Sequence, residues 1–153
     1  MRVAEQASLL IQKRQSADDP RICRLAEQAF AEYDAQAAAT VQRLVLRGTT
    51  WVAWRGSALV GFATVHPMHP RCVDLCAIAV DEEARGLGIG RALLAHVELA
   101  AVRAGLEEIK LHTAQANVSA LDLFLKSGFR VVRRMPRFYR GMYDACALSK
   151  QVG

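Results

Sequence analysis

At 153 residues, with 52% apolar and 23% charged side chains, the chain suits one folded domain with a sizeable core and excludes a disordered or low-complexity protein. No apolar run reaches the ~20 residues of a membrane-spanning helix, and the first residues lack a secretion-signal pattern, so a cytoplasmic location is the default expectation. The formal net charge of +5 suits an anionic cofactor, a nucleic acid or an acidic partner, without choosing among them.

In chain order, residues 8–13 carry Leu9, Leu10 and Ile11 and predict a first strand. Asp19 and Pro20 then read as a helix N-cap followed by proline at the first helical position. Ile22, Leu25, Ala26, Ala29, Phe30 and Tyr33 follow at helical spacing. A second helix is expected over 35–46, ending at Gly48. Strands over 50–54 and 58–65 flank the turn Arg55-Gly56-Ser57 and form a hairpin. Residues 66–70, with two prolines, read as a loop before a strand over 71–80. The next helix, over 88–104, places Leu93, Leu94, Val97 and Ala101 on one face and stops at Gly105. A short strand over 109–113, a helix from Asn117 to Lys126 with Gly128 just beyond it, and strands over 129–135 and 142–148 complete the chain. The order β-α-α-β-β-β-α-β-α-β-β predicts an α/β fold with a mixed sheet. No repeat subdivides it, so residues 1–153 read as one domain with its core over about 8–149.

Cys23, Cys72, Cys76 and Cys146 include no Cys-x-x-Cys pair, and buried free thiols are expected rather than a metal site or a disulfide. Cys72 and Cys76, four apart on a strand, should share a face.

The most informative segment is Arg85-Gly86-Leu87-Gly88-Ile89-Gly90-Arg91, between an apolar strand and a helix. Backbone N–H groups at such a turn point at an anion, and the helix dipole favours negative charge there. No Lys-Ser/Thr follows the last glycine, which excludes a Walker A loop. The two-residue glycine spacing does not fit a dinucleotide fingerprint. A glycine-softened turn without a ligand is the plainer alternative.

Two motifs together carry a resemblance: Arg85-x-x-Gly88-x-Gly90, and Asn117-x-x-Ala120-x-x-Leu123-Phe124-x-x-x-Gly128-Phe129. With the element order, they resemble the GNAT superfamily of acetyl-CoA-dependent N-acetyltransferases over roughly residues 8–149. The resemblance implies a mostly antiparallel sheet of about seven strands, flanked by about four helices and splayed between the fourth and fifth strands. It implies that the coenzyme A diphosphate sits on the amides of Arg85 to Arg91. It also implies that the pantetheine arm pairs with backbone at Ile78, Ala79 and Val80, and that Asn117 contacts the cofactor. Asn117 equally fits a plain helix N-cap, and both roles are compatible.

Amide formation from a thioester needs a neutral amine, a polarised carbonyl and a leaving thiol. Amines of pKa about 8 to 10.4 must lose a proton, directly or through water. Asp74 lies six residues before Val80, where many members of the superfamily carry a glutamate base. His112 lies five before Asn117, where the ribosomal-protein acetyltransferases carry a catalytic glutamate. Each also fits an ordinary strand residue. Many members place a tyrosine at the position of Phe124 to protonate the departing thiolate, which phenylalanine cannot do. Phe124 would still pack the pantetheine arm or core. Tyr139 or Tyr143 is the candidate substitute acid, with a packing role as the alternative. Arg130, Arg133, Arg134, Arg137 and Arg140 form an acid-free run that suits a solvated face or an acidic acceptor. Phe138-Tyr139 faintly resembles the C-terminal pattern of protein N-terminal acetyltransferases, which adds a peptide α-amine to the candidate acceptors.

The expectation is therefore an acyltransferase moving acetyl from acetyl-CoA to a primary amine of a small molecule, peptide or protein by direct attack in a ternary complex. It has no metal and no membrane partner, and a homodimer is left open. A catalytically weak acyl-CoA-binding module and a basic nucleic-acid-binding protein are the rival readings.

Overall fold

The computed structural model describes residues 8–153 and shows a seven-stranded sheet between two helical layers. Strands β1 (Leu9–Lys13), β2 (Thr49–Arg55), β3 (Ala58–His69), β4 (Cys72–Val80), β5 (Glu108–Ala114), β6 (Arg130–Tyr139) and β7 (Tyr143–Gln151) lie in the order β1-β2-β3-β4-β5-β7-β6. Every neighbouring pair is antiparallel except β4 and β5. Helices α1 (Asp19–Phe30) and α2 (Ala37–Arg47) cover one face, burying Ile22, Leu25, Val41 and Val45 against Phe62. Helices α3 (Ile89–Arg103) and α4 (Val118–Lys126) cover the other, where Leu93, Leu94 and Val97 meet Ile109, Leu111 and Leu148. Each fully buried side chain of this kind stabilises by roughly 1.5–3 kcal/mol.

Two local features differ from the expected elements. Asp18, rather than Asp19, stands before α1, and its carboxylate accepts the Gln15 N–H (2.8 Å) in a short 3-10 turn. Asp19 instead pairs with Arg14 at 3.2 Å. Residues 66–70 are not all loop, since β3 runs on to His69 opposite Cys72. Pairing with β2 starts at Thr49 opposite Val65, so β3 has an unpartnered edge beyond that point, and Pro67 removes no ladder bond there.

Two irregularities position the site. Thr64 pairs with Ala77 but Val65 with Leu75, leaving Cys76 as an extra residue in β4. The bulge inverts the alternation: Val73 and Leu75 face α3, as do Ile78 and Val80, whereas Ala77 and Ala79 face α1 and α2. Cys72 is buried and Cys76 half-buried. The second irregularity is the short β4–β5 pairing, which covers only Cys72↔Glu108, Val73↔Ile109 and Asp74↔Lys110. Beyond Asp74 the two strands part.

Candidate active site

The fork between β4 and β5 opens a cavity of about 180 Å³. Leu75, Cys76, Ala77 and Ile78 line it from one strand, Leu111 to Ala114 from the other. The backbone of β4 past Asp74 keeps β3 on one side and has no strand on the other. Its free edge can take hydrogen bonds from an extended ligand. Of the three residues expected to bind the pantetheine arm, Ile78 lines the cavity itself. Ala79 and Val80 continue the same edge toward the glycine turn.

That turn follows a short 3-10 segment (Glu82–Ala84) capped by Asp81. Gly86 and Gly88 both adopt φ +80°, and a Cβ at either would project into open space. Gly88 is the N-cap of α3, and the first bond of that helix runs from the Ala92 N–H to the Gly88 carbonyl. The amides of Ile89, Gly90 and Arg91 therefore have no intrahelical acceptor, and they stand at the positive end of the dipole. Gly90 serves a different purpose. A Cβ there would lie 3.0 Å from Leu123 Cδ2, so glycine permits the approach of α3 to α4. Arg85 donates Nε–H to the Val80 carbonyl (3.4 Å), and the side chains of Leu87 and Arg91 are exposed.

Asn117 caps α4 through its side-chain oxygen, which accepts the Ala120 N–H at 3.3 Å. It also lines the cavity, and its amide NH2 donors are not used in that bond. Phe124 is 3% exposed, packs edge-on against Phe129 at 5.9 Å, and contributes to the cavity wall.

The candidate proton-transfer residues meet where the strands part. Asp74 belongs to the last β4–β5 pair, and His112 lies two residues past its partner Lys110. Both lie on the α1–α2 side of the sheet, since their neighbours Val73, Leu75, Ile109 and Leu111 face α3. His112 lines the cavity, whereas Asp74 stands behind Cys76, whose thiol donates to Asp74 Oδ2 at 3.5 Å. Burial raises the Asp74 carboxyl above its ordinary range, against the lowering effects of the Cys76 hydrogen bond and of His112 and His66. Burial and the neighbouring Asp74 carboxylate push the Cys76 thiol up to about 12.

Tyr139 reaches the cavity because β6 is distorted. Met135 pairs with Ala145 and Tyr139 with Tyr143, so residues 136–138 stand opposite Asp144 alone. Asp144 holds this excursion by accepting the N–H of Arg137 (3.0 Å), which sits at φ +54°. The excursion brings Phe138 to 5.5 Å from the His112 ring. Arg140 (φ +56°) and Gly141 (φ +67°) then make a tight turn closed by the Met142 N–H on the Tyr139 carbonyl (2.9 Å). From this turn Arg140 donates to the Glu32 carbonyl at 3.3 Å, tying the hairpin to the segment between α1 and α2. Tyr33 of that segment stacks at 5.8 Å from Tyr139 and 5.1 Å from Tyr143. Burial first, then Asp74 and Tyr33, push the Tyr139 hydroxyl up to about 12.

All five arginines of the 130–140 run are exposed. Two engage neighbours through side-chain oxygens or carbonyls: Arg134 meets Gln115 (2.6 Å) and Asp144 (3.5 Å), and Arg140 meets Glu32. Tyr33, Asp34 and Cys76 also line the cavity, and no motif in the sequence marks them. Tyr33 had the spacing of a core position, and nothing in the β4 sequence marks a bulge at Cys76.

Similarity to known proteins identifies the family. A model of the acetyltransferase (GNAT) family matches residues 17–129. The chain belongs to this family. It is 33% identical over 134 residues to a mycothiol acetyltransferase of Geodermatophilus obscurus, an alignment covering 76% of this chain and 42% of that protein. The chain thus spans less than half the length of that curated relative. Among solved structures, a Bacillus subtilis acetyltransferase in complex with CoA superposes with a TM-score of 0.80 at 23% identity, covering 95% of this chain and all of that one. The ribosomal-protein-S18-alanine N-acetyltransferase of Escherichia coli superposes with a TM-score of 0.83 at 21% identity, over 95% of each chain. The chain therefore carries a domain of the acetyltransferase (GNAT) family, with a mixed sheet of seven strands. No helix among the described residues is long and apolar enough to cross a membrane.

Proposed function

We propose that this domain transfers acetyl from acetyl-CoA to a primary amine of a small molecule or peptide, by direct attack within a ternary complex. The observation that carries the proposal is the fork itself. One end leads along an unpaired strand edge to a turn of free amides, and the other ends among His112, Asp74 and Tyr139. A diphosphate on the amides of Gly86 to Arg91 and a pantetheine arm along Ile78 to Val80 bring the thioester to the tyrosine end. The NH2 of Asn117 is free to donate to the cofactor, and Phe124 packs against the arm.

The acceptor enters the part of the cavity walled by Tyr33, Asp34 and Tyr139. Its amine attacks the thioester carbonyl carbon, and the C–S bond breaks as the C–N bond becomes an amide. The amine proton passes to the Asp74–His112 pair, through water where the acid is one methylene short of direct contact. Burial keeps the Asp74 carboxyl readier to accept a proton than an exposed aspartate. Burial makes Tyr139 a poorer proton donor than an ordinary tyrosine. A hydroxyl at about 12 is a weaker acid than the departing thiol, whose pKa is about 8.5. It donates a hydrogen bond to the charge that develops on the thioester, and that is stabilisation specific to the transition state.

The test is release of free coenzyme A thiol from acetyl-CoA across a panel of amines and peptides. The panel contrasts free with blocked N-termini. Acceptor-dependent release, with mass-confirmed N-acetyl product, is the expected result. Saturable acetyl-CoA binding with no turnover on any primary amine would instead mark a binding module.

A further inference from the structure

A second cavity, larger than the one at the fork, lies elsewhere in the molecule. A cleft of about 520 Å³ lies at the other end of α3, between the C-terminal half of that helix and the face formed by β2, β3 and β4. We infer that it is a second ligand site, for a compact amphiphile with an apolar body and a single carboxylate.

Its volume falls within the usual range of small-molecule sites, roughly 300–1,000 Å³. Trp51, Val65, Val73 and Leu106 supply apolar walls, and His96 stands edge-on to the Trp51 ring at 5.4 Å. A cleft so lined favours an apolar body over water. Charge selects the other end of the ligand. Lys13 on β1 and Arg103 on α3 both line the cleft, and no acidic side chain does so among the described residues. Neither cation forms an ion pair with a described residue.

Arg103 suits the dipole at the end of α3, but no carbonyl there needs it as a cap. Its last carbonyls are already engaged, that of Ala101 by the Leu106 N–H (2.9 Å) and that of Val102 by the Gly105 N–H (3.0 Å). Two cations from different elements, over an apolar bed with no counter-charge among the described residues, fit one carboxylate on an apolar body. The same arrangement rejects an amine.

The proposal is tested by titrating the full-length protein, saturated with coenzyme A, with octanoate, octanol and octylamine, read by calorimetry. Octanoate is expected to bind one to one, at least tenfold tighter than octylamine, and within twofold of its affinity without coenzyme A. Replacing both cations (Lys13→Gln with Arg103→Gln) should weaken octanoate about tenfold, the scale of two exposed ion pairs, and leave octanol unchanged. Ala100→Phe, or Ala104→Phe at the more exposed end, should abolish binding of all three probes. Retained coenzyme A affinity shows that either variant has folded. Competition between octanoate and coenzyme A would move the ligand to the fork and overturn the inference. Equal binding of octylamine, or unchanged octanoate binding in a folded cleft-filling variant, would also overturn it.

Discussion

The two ends of the fork are made of different material. At the glycine turn the groups available to a ligand are main-chain amides, set by Gly88 at φ +80° and by the first turn of α3. At the tyrosine end they are side chains from four separated stretches: Tyr33, Asp74, His112 and Tyr139. Three devices hold these in place, namely the β4 bulge, the β6 excursion and the Arg140 tie to Glu32. A site made of backbone tolerates side-chain change and fails when a Cβ intrudes. A site made of side chains fails one group at a time. Both features can be broken selectively.

The largest effect is expected at Gly88. Gly88→Val places a branched side chain at positive φ, which costs roughly 1–2 kcal/mol, and pushes a Cβ into the space an approaching phosphate would use. Coenzyme A affinity should fall at least ~100-fold, the loss of several charge-assisted hydrogen bonds, while circular dichroism stays native. Gly90→Ala is the contrast. Its Cβ meets Leu123 at 3.0 Å, so it should lower the melting temperature, and Leu123→Ala should restore it. Normal coenzyme affinity in a folded Gly88→Val protein would remove the diphosphate from this turn.

At the other end, His112→Ala combined with Asp74→Asn should reduce turnover ~10²–10⁴-fold, the range for positioned acid–base groups. The loss should be greatest at low pH, where the acceptor amine is mainly protonated. Acetyl-CoA affinity should not move. A double variant with the wild-type pH profile would assign deprotonation to solvent or another group.

Tyr139→Phe should be milder, about 10–100-fold in turnover, because it deletes a hydrogen bond to developing charge from a poor proton donor. Phe124→Tyr should change the rate less than threefold. Phe124 is buried against Phe129, and a phenol added in that apolar wall loses acidity as Tyr139 has done. An increase of tenfold or more in Phe124→Tyr would show that thiol departure limits the wild-type enzyme.

The contrast also explains what could be read in advance. Element order, the helix stop at Gly105, the Asn117 cap and the glycine turn are local, each signalled by residues within a few positions of one another. Tyr33 meets Tyr139 across more than a hundred residues, and periodicity in α1 marks Tyr33 only as the last apolar step of a helix face. The bulge at Cys76 has no composition of its own: Leu75-Cys76-Ala77-Ile78 is an ordinary buried run. Pro67 suggests a loop because proline breaks ladders, yet β3 runs through it, paired with β4 at Val73 and already past its last β2 partner. The candidate bases were legible because the superfamily resemblance fixed their spacing from Val80 and Asn117. Their convergence needed the fork.

The smallest expected effect concerns Asp74 as a burden on the fold. Its carboxyl titrates above the ordinary aspartate value because burial disfavours the charge. In the window between the ordinary and the raised value, the folded state binds more protons than the unfolded state. Stability must then fall as pH rises through that window and level off above it. Asp74→Asn removes the titration while keeping a similar shape. Relative to wild type, the variant should gain in melting temperature as pH increases from the ordinary aspartate range to neutrality. The favourable terms from Cys76, His112 and His66 keep the gain small. Cys76→Ala should enlarge it, by removing the thiol that donates to Oδ2 at 3.5 Å. A pH-independent difference between Asp74→Asn and wild type would show that the carboxyl is solvated in the folded protein. Asp74 would then be no better a base than an exposed aspartate, and His112 would be left to accept the proton.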